Sequence, residues 1–463
     1  MLQEHVPSID RSIFRAYDIR GIVGAGLNEK IVYALGRAIG SMAVQHGEKF
    51  IAMGRDARLS GPALSEALCE GLLATGCNVL DIGIVPTPLL YYATYMTNTR
   101  SGVMLTGSHN PAEYNGLKIM IGGKTLAEEG IQALYDRIVE NNFLSGQGER
   151  HTLDMIDRYI RHVARDIPLA RPLKIVIDCG NGVAGAVAPA LFREMGCEVH
   201  ELFCELDGRF PNHHPDPSQT ENLQDLIRVV RETKADIGLA FDGDGDRLGV
   251  VTTSGEVIWP DRQLMVFAKE ILSRQPGAKI IYDVKCTNHL ARVIHEAGGV
   301  PIMWKTGHSL VKAKLAETQA ALAGEMSGHI FFKDRWYGFD DALYSAARLL
   351  EILARTSGDS DALFQDIPNS VNTPELKIYV DENEKFSLMD RLIQSANFGM
   401  AEIVTIDGLR VNFSDGWGLV RPSNTTPCLV LRFEAESEGV LQKIQQLFRE
   451  FLLAAQADLV LPF

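Results

Sequence analysis

Residues 49–56 (KFIAMGRD), 173–180 (LKIVIDCG) and 278–285 (AKIIYDVK) read alike. Each is an apolar, β-rich run that ends in small or charged residues, as a buried strand does where it meets a loop. A helix-like stretch follows each one, then a glycine (Gly76, Gly196, Gly298), then a second strand (NVLDIG, CEVHELF, VPIMWKTG). The three strand-helix-strand units begin 124 and 105 residues apart. Those gaps far exceed solenoid periods, so they indicate related whole domains rather than stacked small repeats. Alternating strands and helices imply largely parallel, helix-covered sheets. Ligands of such sheets gather where strands end and loops begin.

Polar stretches set the limits of the units. Residues 141–152 close the first, 252–263 separate the second from the third, and 354–370 separate the third from the remainder. The expected division is 1–152, 153–256, 257–368 and 369–463. The last part does not repeat the pattern. It holds short strands (LRVNF, CLVLRFEA) and ends in an amphipathic helix near VLQKIQQLFREFLLAA, which reads as a smaller α+β domain.

Composition agrees with a folded chain of several domains. Of 463 residues, 46% are hydrophobic and 22% charged, which excludes a mostly disordered chain, a collagen-like fibre and a small disulfide scaffold. The net charge of −14 argues against a general nucleic-acid binder, although a local basic cluster can still receive an anionic small molecule. Seven cysteines without paired spacing read as core filling in a reducing compartment. The first residues, MLQEHVPSIDRSIF, lack a basic segment followed by an apolar run, and no run of about 18 apolar residues occurs. A soluble, cytoplasmic protein without membrane contact is expected.

Four loops carry chemistry. In the first, Thr106-Gly107-Ser108-His109-Asn110-Pro111 follows an apolar strand and precedes Asn115-Gly116-Leu117-Lys118. A serine between turn formers exposes its hydroxyl, but a plain polar turn explains the same residues. His109 makes no dyad with Ser108 by adjacency, because neighbouring side chains usually diverge. A nucleophilic serine also needs activation and a charge sink.

The second loop supplies that sink: Asp242-Gly243-Asp244-Gly245-Asp246-Arg247, between the strand-like IGLAFD and RLGVVT. Three carboxylates at alternating positions can wrap one hard cation, and oxygen ligands suit Mg²⁺, which also takes substrate phosphate. An EF-hand is excluded, since its sixth position here is Arg247 and its twelfth is Thr253. A charged hairpin turn is the competing reading, but three like charges this close repel without a counter-ion. Arg247 beside the cage suits a phosphate oxygen.

The third loop, Gly324-Glu325-Met326-Ser327-Gly328-His329, sets a carboxylate and a hydroxyl two residues apart, which fits neighbouring sugar hydroxyls; an ordinary turn also explains it. The fourth, Arg421-Pro422-Ser423-Asn424-Thr425-Thr426-Pro427, gathers a guanidinium, hydroxyls and an amide, a mixture that binds phosphate. A turn without a ligand explains it equally well. Tyr17, Arg20, Lys118, Lys285, Lys305 and His308 lie near expected strand ends or glycine turns, where each singly reads as a surface charge or a core histidine. His213 and His214 read as bland loop residues.

Together the loops resemble the α-D-phosphohexomutase superfamily, and within it the bacterial phosphomannomutase/phosphoglucomutase group. The match spans essentially the whole chain, with all four loops in order. The resemblance implies an α/β protein of four domains around a central cleft, three of related mixed α/β topology and a smaller C-terminal one. It implies reversible conversion of hexose 1-phosphate to hexose 6-phosphate, for mannose and glucose, through a hexose 1,6-bisphosphate.

By that resemblance Ser108 carries the phosphoryl group. Asp242, Asp244 and Asp246 hold one Mg²⁺ with an oxygen of phosphorylated Ser108. Arg20, His109, Lys118, Arg247 and His329 surround the transferred group. The sugar loop from Glu325 through Met326, Ser327 and Gly328 to His329 meets the sugar. Tyr17, Lys285 and His308 line the cleft, and Arg421, Ser423, Asn424 and Thr425 hold the non-reacting phosphate. The partners implied are phosphosugars alone, acting on a monomer. Lys118, His308 and His329 are the candidates for moving the hydroxyl proton. Many members carry S-G-T-E-P where this chain has Ser423-Asn424-Thr425-Thr426-Pro427. Phosphoglucosamine mutase, a metal-dependent phosphatase and a non-catalytic sugar-phosphate sensor are the alternatives. GEMSGH argues against the first.

Overall fold

The computed structural model describes residues 9–381, 384–424 and 426–463. The three repeated units fold alike, each on its own sheet. The first strands are Phe50–Arg55, Lys174–Asp178 and Lys279–Asp283, and the second are Asn78–Ile84, Glu198–Leu202 and Val300–Trp304. Within each unit the two pair in parallel. Between them run the helices Gly61–Leu73, Ala188–Glu194 and Asn288–Glu296. The glycines noted in the sequence end these crossovers in left-handed backbone: φ is +87° at Gly76, +89° at Gly196 and +82° at Gly298. Side chains strain that region, whereas glycine enters it freely.

A third parallel strand lies on the other side of each first strand: Gly102–Leu105, Ile237–Phe241 and Leu322–Gly324. Each then turns back into an antiparallel partner: Tyr114–Ile121, Leu248–Thr252 and Ile330–Phe332. The spatial order is therefore the same three times, antiparallel strand, third strand, first strand, second strand. The serine, metal and sugar loops occupy the same turn of each unit, at the carboxyl end of the third strand. This is where an open α/β sheet offers ligands a crevice.

The fourth sheet has six strands, all paired antiparallel, with Cys428–Ala435 at its centre. Helix Glu438–Ala455 packs on it through Leu441, Ile444, Phe448 and Leu452, a spacing of three and four residues that makes one apolar face. One apolar core runs from the first unit through the second into the third, whereas the fourth domain has a separate core. The seven cysteines are free; six are buried and Cys204 is half-buried. Among the described residues, no helix is long and apolar enough to cross a membrane.

Candidate active site

The serine loop is built from beneath. Arg58, 1% exposed, donates through its guanidinium to four loop carbonyls: Ser108 (2.9 Å), Asn110 (2.6 Å), Pro111 (2.5 Å) and Tyr114 (2.9 Å). Asp56 accepts from Arg58 Nε, Thr106 Oγ1 and Gly107 N at 3.2, 2.8 and 3.1 Å. Residue 107 must be glycine here, because an added Cβ would lie 2.4 Å from Arg58 Cζ. Ser108 itself has φ +49°, unusual for a residue with a side chain. That backbone overturns one expectation: His109 does not diverge from its neighbour, and its Nδ1 lies 3.2 Å from Ser108 Oγ. Burial, then the charges of Arg247, Arg20 and Lys118, holds His109 well below the usual histidine range, so it is neutral beside the hydroxyl.

The metal loop closes against the serine loop. A Cβ on Gly243 would lie 2.3 Å from Ser108 O, so glycine alone permits the approach. Ser108 Oγ donates to Asp242 Oδ2 at 3.3 Å. Asp242, Asp244 and Asp246 are fully buried, and their ligand atoms lie within 4.8 Å of one another. Burial and the two neighbouring carboxylates push Asp242 well above the usual carboxylate range. Lys118 Nζ lies 2.6 Å from Asp244 Oδ2 and 2.5 Å from Asp246 Oδ2. Burial opposes the lysine charge, but the two carboxylates win and hold it well above its usual range. Thr87 Oγ1 donates to Asp244 Oδ2 at 2.5 Å. The other oxygens, Asp244 Oδ1 and Asp246 Oδ1, are buried without a hydrogen-bond partner among the described residues. Buried acceptors left open in a three-carboxylate cluster fit a hard divalent cation.

Arg20 Nη1 donates to Asn110 Oδ1 at 2.7 Å, and the same guanidinium pairs with Asp18, which puts the arginine over the serine loop. Arg247 Nε donates to His329 Nε2 at 3.1 Å. His308 and His329 stack with ring centroids 5.5 Å apart. Lys118 and Lys285 are 4% and 5% exposed, so the surface reading given to single charges fails for them, whereas His308 is buried. His213 pairs with buried Asp178 at 3.0 Å, a satisfied loop histidine.

The sugar and phosphate loops are joined through Tyr17 and the Thr306–Gly307 turn. Ser327 Oγ donates to Glu325 Oε2 at 3.0 Å, and Gly307 N to Glu325 Oε1 at 2.6 Å, so carboxylate and hydroxyl do share one side. Burial raises the Glu325 carboxyl. Met326 N donates to Asp283 Oδ1 at 3.3 Å, and Gly328, with φ +101°, turns the chain towards His329. Tyr17 OH donates to Thr306 O at 2.8 Å, while Asn424 Nδ2 donates to the same hydroxyl. Arg421 Nε and Thr306 N both meet Asp407 Oδ2 at 3.0 Å. The buried Arg421 Nη2 has no hydrogen-bond partner among the described residues. Ser423 Oγ lies 2.8 Å from Thr426 Oγ1. Lys285 Nζ pairs with Glu375 Oε1 at 2.6 Å. Thr425 lies outside the described residues.

Two groups of expected residues therefore assemble, around Ser108 and around Glu325 and Arg421, linked by Tyr17 and His308, whose rings lie 6.1 Å apart. Sequence reasoning missed Asp56, Arg58, Thr87, Lys312, Asp340, Glu375 and Asp407. Only the extended strand end before Asp56 and Arg58 hinted at any of them.

Comparisons with known proteins agree along the chain. Family profiles described as phosphoglucomutase/phosphomannomutase match residues 11–145 (alpha/beta/alpha domain I), 157–255 (domain II), 259–371 (domain III) and 375–451 (C-terminal domain). The chain is 58% identical to a phosphomannomutase/phosphoglucomutase of Pseudomonas putida, over 98% of each chain. It is 53% identical to a phosphoglucomutase of Neisseria gonorrhoeae, over 96% of this chain and 97% of that one. A crystal structure of a phosphoglucomutase/phosphomannomutase family protein from Burkholderia thailandensis superposes with a TM-score of 0.94 at 55% identity, covering 98% of this chain and all of that one.

Proposed function

The chain belongs to the phosphoglucomutase/phosphomannomutase family, and we propose that it interconverts the 1- and 6-phosphates of mannose and glucose through a phosphoserine at Ser108. The carrying observation is the Ser108 hydroxyl 3.3 Å from Asp242, on a fully buried three-carboxylate cluster. Arg20, Lys118 and Arg247 bring positive charge to His109 beside that serine, and a divalent cation on the carboxylates would add to it, which is what a transferred phosphoryl group needs.

In this reading the free hydroxyl of a bound hexose phosphate attacks the phosphorus of phosphoserine 108. The Oγ–P bond breaks and the hydroxyl proton leaves to a base. The product is a hexose 1,6-bisphosphate, which turns within the cleft and returns its other phosphoryl group to Ser108. Asp242, Asp244 and Asp246, with phosphorylated Ser108, would hold one Mg²⁺, which would supply positive charge beside the transferred group. His109, neutral, orients the serine oxygen.

Among the three candidate proton carriers, the reading favours His329. Lys118 is held charged by two carboxylates. His308 stacks on His329, with ring centroids 5.5 Å apart, and its ring faces Tyr17 on the other side. His329 Nε2 faces Arg247 at the edge of the metal loop, and we assign the proton to it.

Glu325 and Ser327 take the sugar hydroxyls, with Met326 and Gly328 shaping their loop. Arg421, Ser423, Asn424 and Thr425 hold the non-reacting phosphate, and Tyr17, Lys285 and His308 line the path between. A coupled assay with mannose, glucose and glucosamine 1-phosphates and trace bisphosphate tests the reading. Turnover of the first two, abolished by chelator, is expected. Release of inorganic phosphate without isomerisation would contradict it.

A further inference from the structure

Two of the seven free cysteines meet: Cys204 Sγ lies 3.5 Å from Cys179 Sγ, although 25 residues separate them. Parallel pairing brings them together. Strand Lys174–Asp178 ends beside Leu202, the end of strand Glu198–Leu202, and the two chains leave the sheet side by side. Cys179 N donates to Leu202 O at 3.1 Å and Asn181 N to Phe203 O at 2.7 Å, so the backbone holds the two sulfurs near each other. Cys179 is wholly buried, whereas Cys204 is half-buried beside exposed Glu205 and Leu206. The Cys204 sulfur, and then burial, push the Cys179 thiol well above the usual cysteine range. Cys204 is therefore the thiol that a reagent from solvent meets first.

The segment after Cys179 is one wall of the metal loop. In the sheet, strand Lys174–Asp178 lies between Glu198–Leu202 and Ile237–Phe241, and the metal loop follows the latter. Val183 N donates to Gly243 O at 3.1 Å, and a Cβ on Gly182 would lie 2.9 Å from the same oxygen. Gly243 is the residue that closes on Ser108 O. A Cβ on Gly185 would lie 2.0 Å from Cys204 O, so the Cys204 backbone is hemmed in. Cys179 thus has Cys204 on one flank and the metal loop on the other. A disulfide is much shorter than the contact between two thiols, so bonding draws Cys179 towards Cys204.

We propose that Cys179 and Cys204 are a redox-sensitive pair, which hydrogen peroxide oxidises to a disulfide that draws the Cys179 segment away from the metal loop. The Cys204 thiolate attacks one peroxide oxygen; the O–O bond breaks, hydroxide leaves and a sulfenic acid forms. Cys179 Sγ then attacks Cys204 Sγ. The S–S bond forms, the S–O bond breaks, and the departing hydroxide takes the Cys179 proton as water. In sum, two thiols lose two electrons and two protons, and one peroxide is reduced to two waters. Exchange with a small dithiol restores both thiols.

The test needs neither metal nor substrate, so it stands apart from the phosphoserine reading. The full chain in chelator is treated with hydrogen peroxide, its remaining thiols are alkylated, and it is digested with trypsin and a glutamate-specific protease. That digestion separates Cys204, in residues 202–205, from Cys197. The peptide of residues 175–193, which holds Cys179, should be linked to residues 202–205. Native-state hydrogen exchange then reads residues 241–248. Protection should fall roughly 2- to 13-fold on oxidation, the worth of one backbone hydrogen bond, and return with dithiothreitol. In Cys204→Ser, peroxide should leave it unchanged.

A Cys179–Cys204 link without loss of protection would overturn the proposal. So would a link from Cys179 to Cys197, or sulfinic acid at Cys204 with Cys179 left as a thiol. These outcomes are read in the unaltered protein, whatever the variant does. A peroxide-induced loss of protection that persists in Cys204→Ser would belong to another oxidised side chain, and would overturn it as well.

Discussion

Replacing Lys118 by Met probes the balance of charge beneath the serine. The ammonium sits 2.6 Å and 2.5 Å from two carboxylates that are wholly buried, and its own side chain is 4% exposed. Methionine fills much of the space and removes the charge. Removing one partner of a buried ion pair costs about 3–5 kcal/mol, because the other partner stays buried and unpaired. The expected consequence is local: the metal loop between strands Ile237–Phe241 and Leu248–Thr252 should open more readily. At about 1.4 kcal/mol per decade, amide protection there should fall by roughly 140- to 4,000-fold. A divalent cation bound to the folded loop offsets part of that loss, by about 2.7 kcal/mol at a hundredfold excess over its dissociation constant. The assay is native-state hydrogen exchange of the peptide spanning residues 241–248, at pH 8, with Mg²⁺ and with chelator. Protection in Lys118→Met should drop in chelator and recover with Mg²⁺ by more than in the unaltered protein. Unchanged protection in chelator, or a loss indifferent to Mg²⁺, would refute the reasoning.

Arg421→Ala should raise KM for mannose and glucose phosphates alike and lower kcat/KM at least about tenfold, since a charge-assisted hydrogen bond contributes roughly 1.5–3 kcal/mol; parallel kinetics on both sugars check it, and harm to one sugar alone would move Arg421 to sugar selection. Lys285 holds the Glu375 carboxyl down to about 2 from 4.5. Because that folded value is depressed, the pair stabilises the protein above about pH 4.5, and the contribution is lost as pH falls through about 2. Melting temperatures of Glu375→Gln and the unaltered protein should therefore converge between pH 6 and pH 2, and a constant difference would argue against the pair; the partial exposure of Glu375 keeps the effect small.

The fold was legible because its evidence is local. Strands Phe50–Arg55, Lys174–Asp178 and Lys279–Asp283 announce themselves by apolar runs, and each crossover ends at a glycine that its backbone angle requires. The metal loop was legible for the same reason: its three carboxylates are sequence neighbours. Arg58, Lys312 and Asp340 were not, since a lone charge on a strand end or helix carries no mark of what it will face. Arg58 meets the serine loop across 50 residues or more, and Asp340 meets Lys312 from 28 residues away. The direction of His109 was misread because it depends on a positive φ at Ser108, which turn formers permit but do not announce. Lys285 and Glu375, 90 residues apart, pair only because the fourth domain rests against the third.

The central claim is that Ser108 carries the phosphoryl group. Intact protein incubated with glucose 1,6-bisphosphate, then digested and sequenced by mass spectrometry, tests it most directly. The peptide spanning residues 101–118 should carry one phosphate on Ser108, and Ser108→Ala should lose that phosphate and nearly all turnover while staying folded. Phosphate on any other residue, or full turnover in Ser108→Ala, would contradict the account.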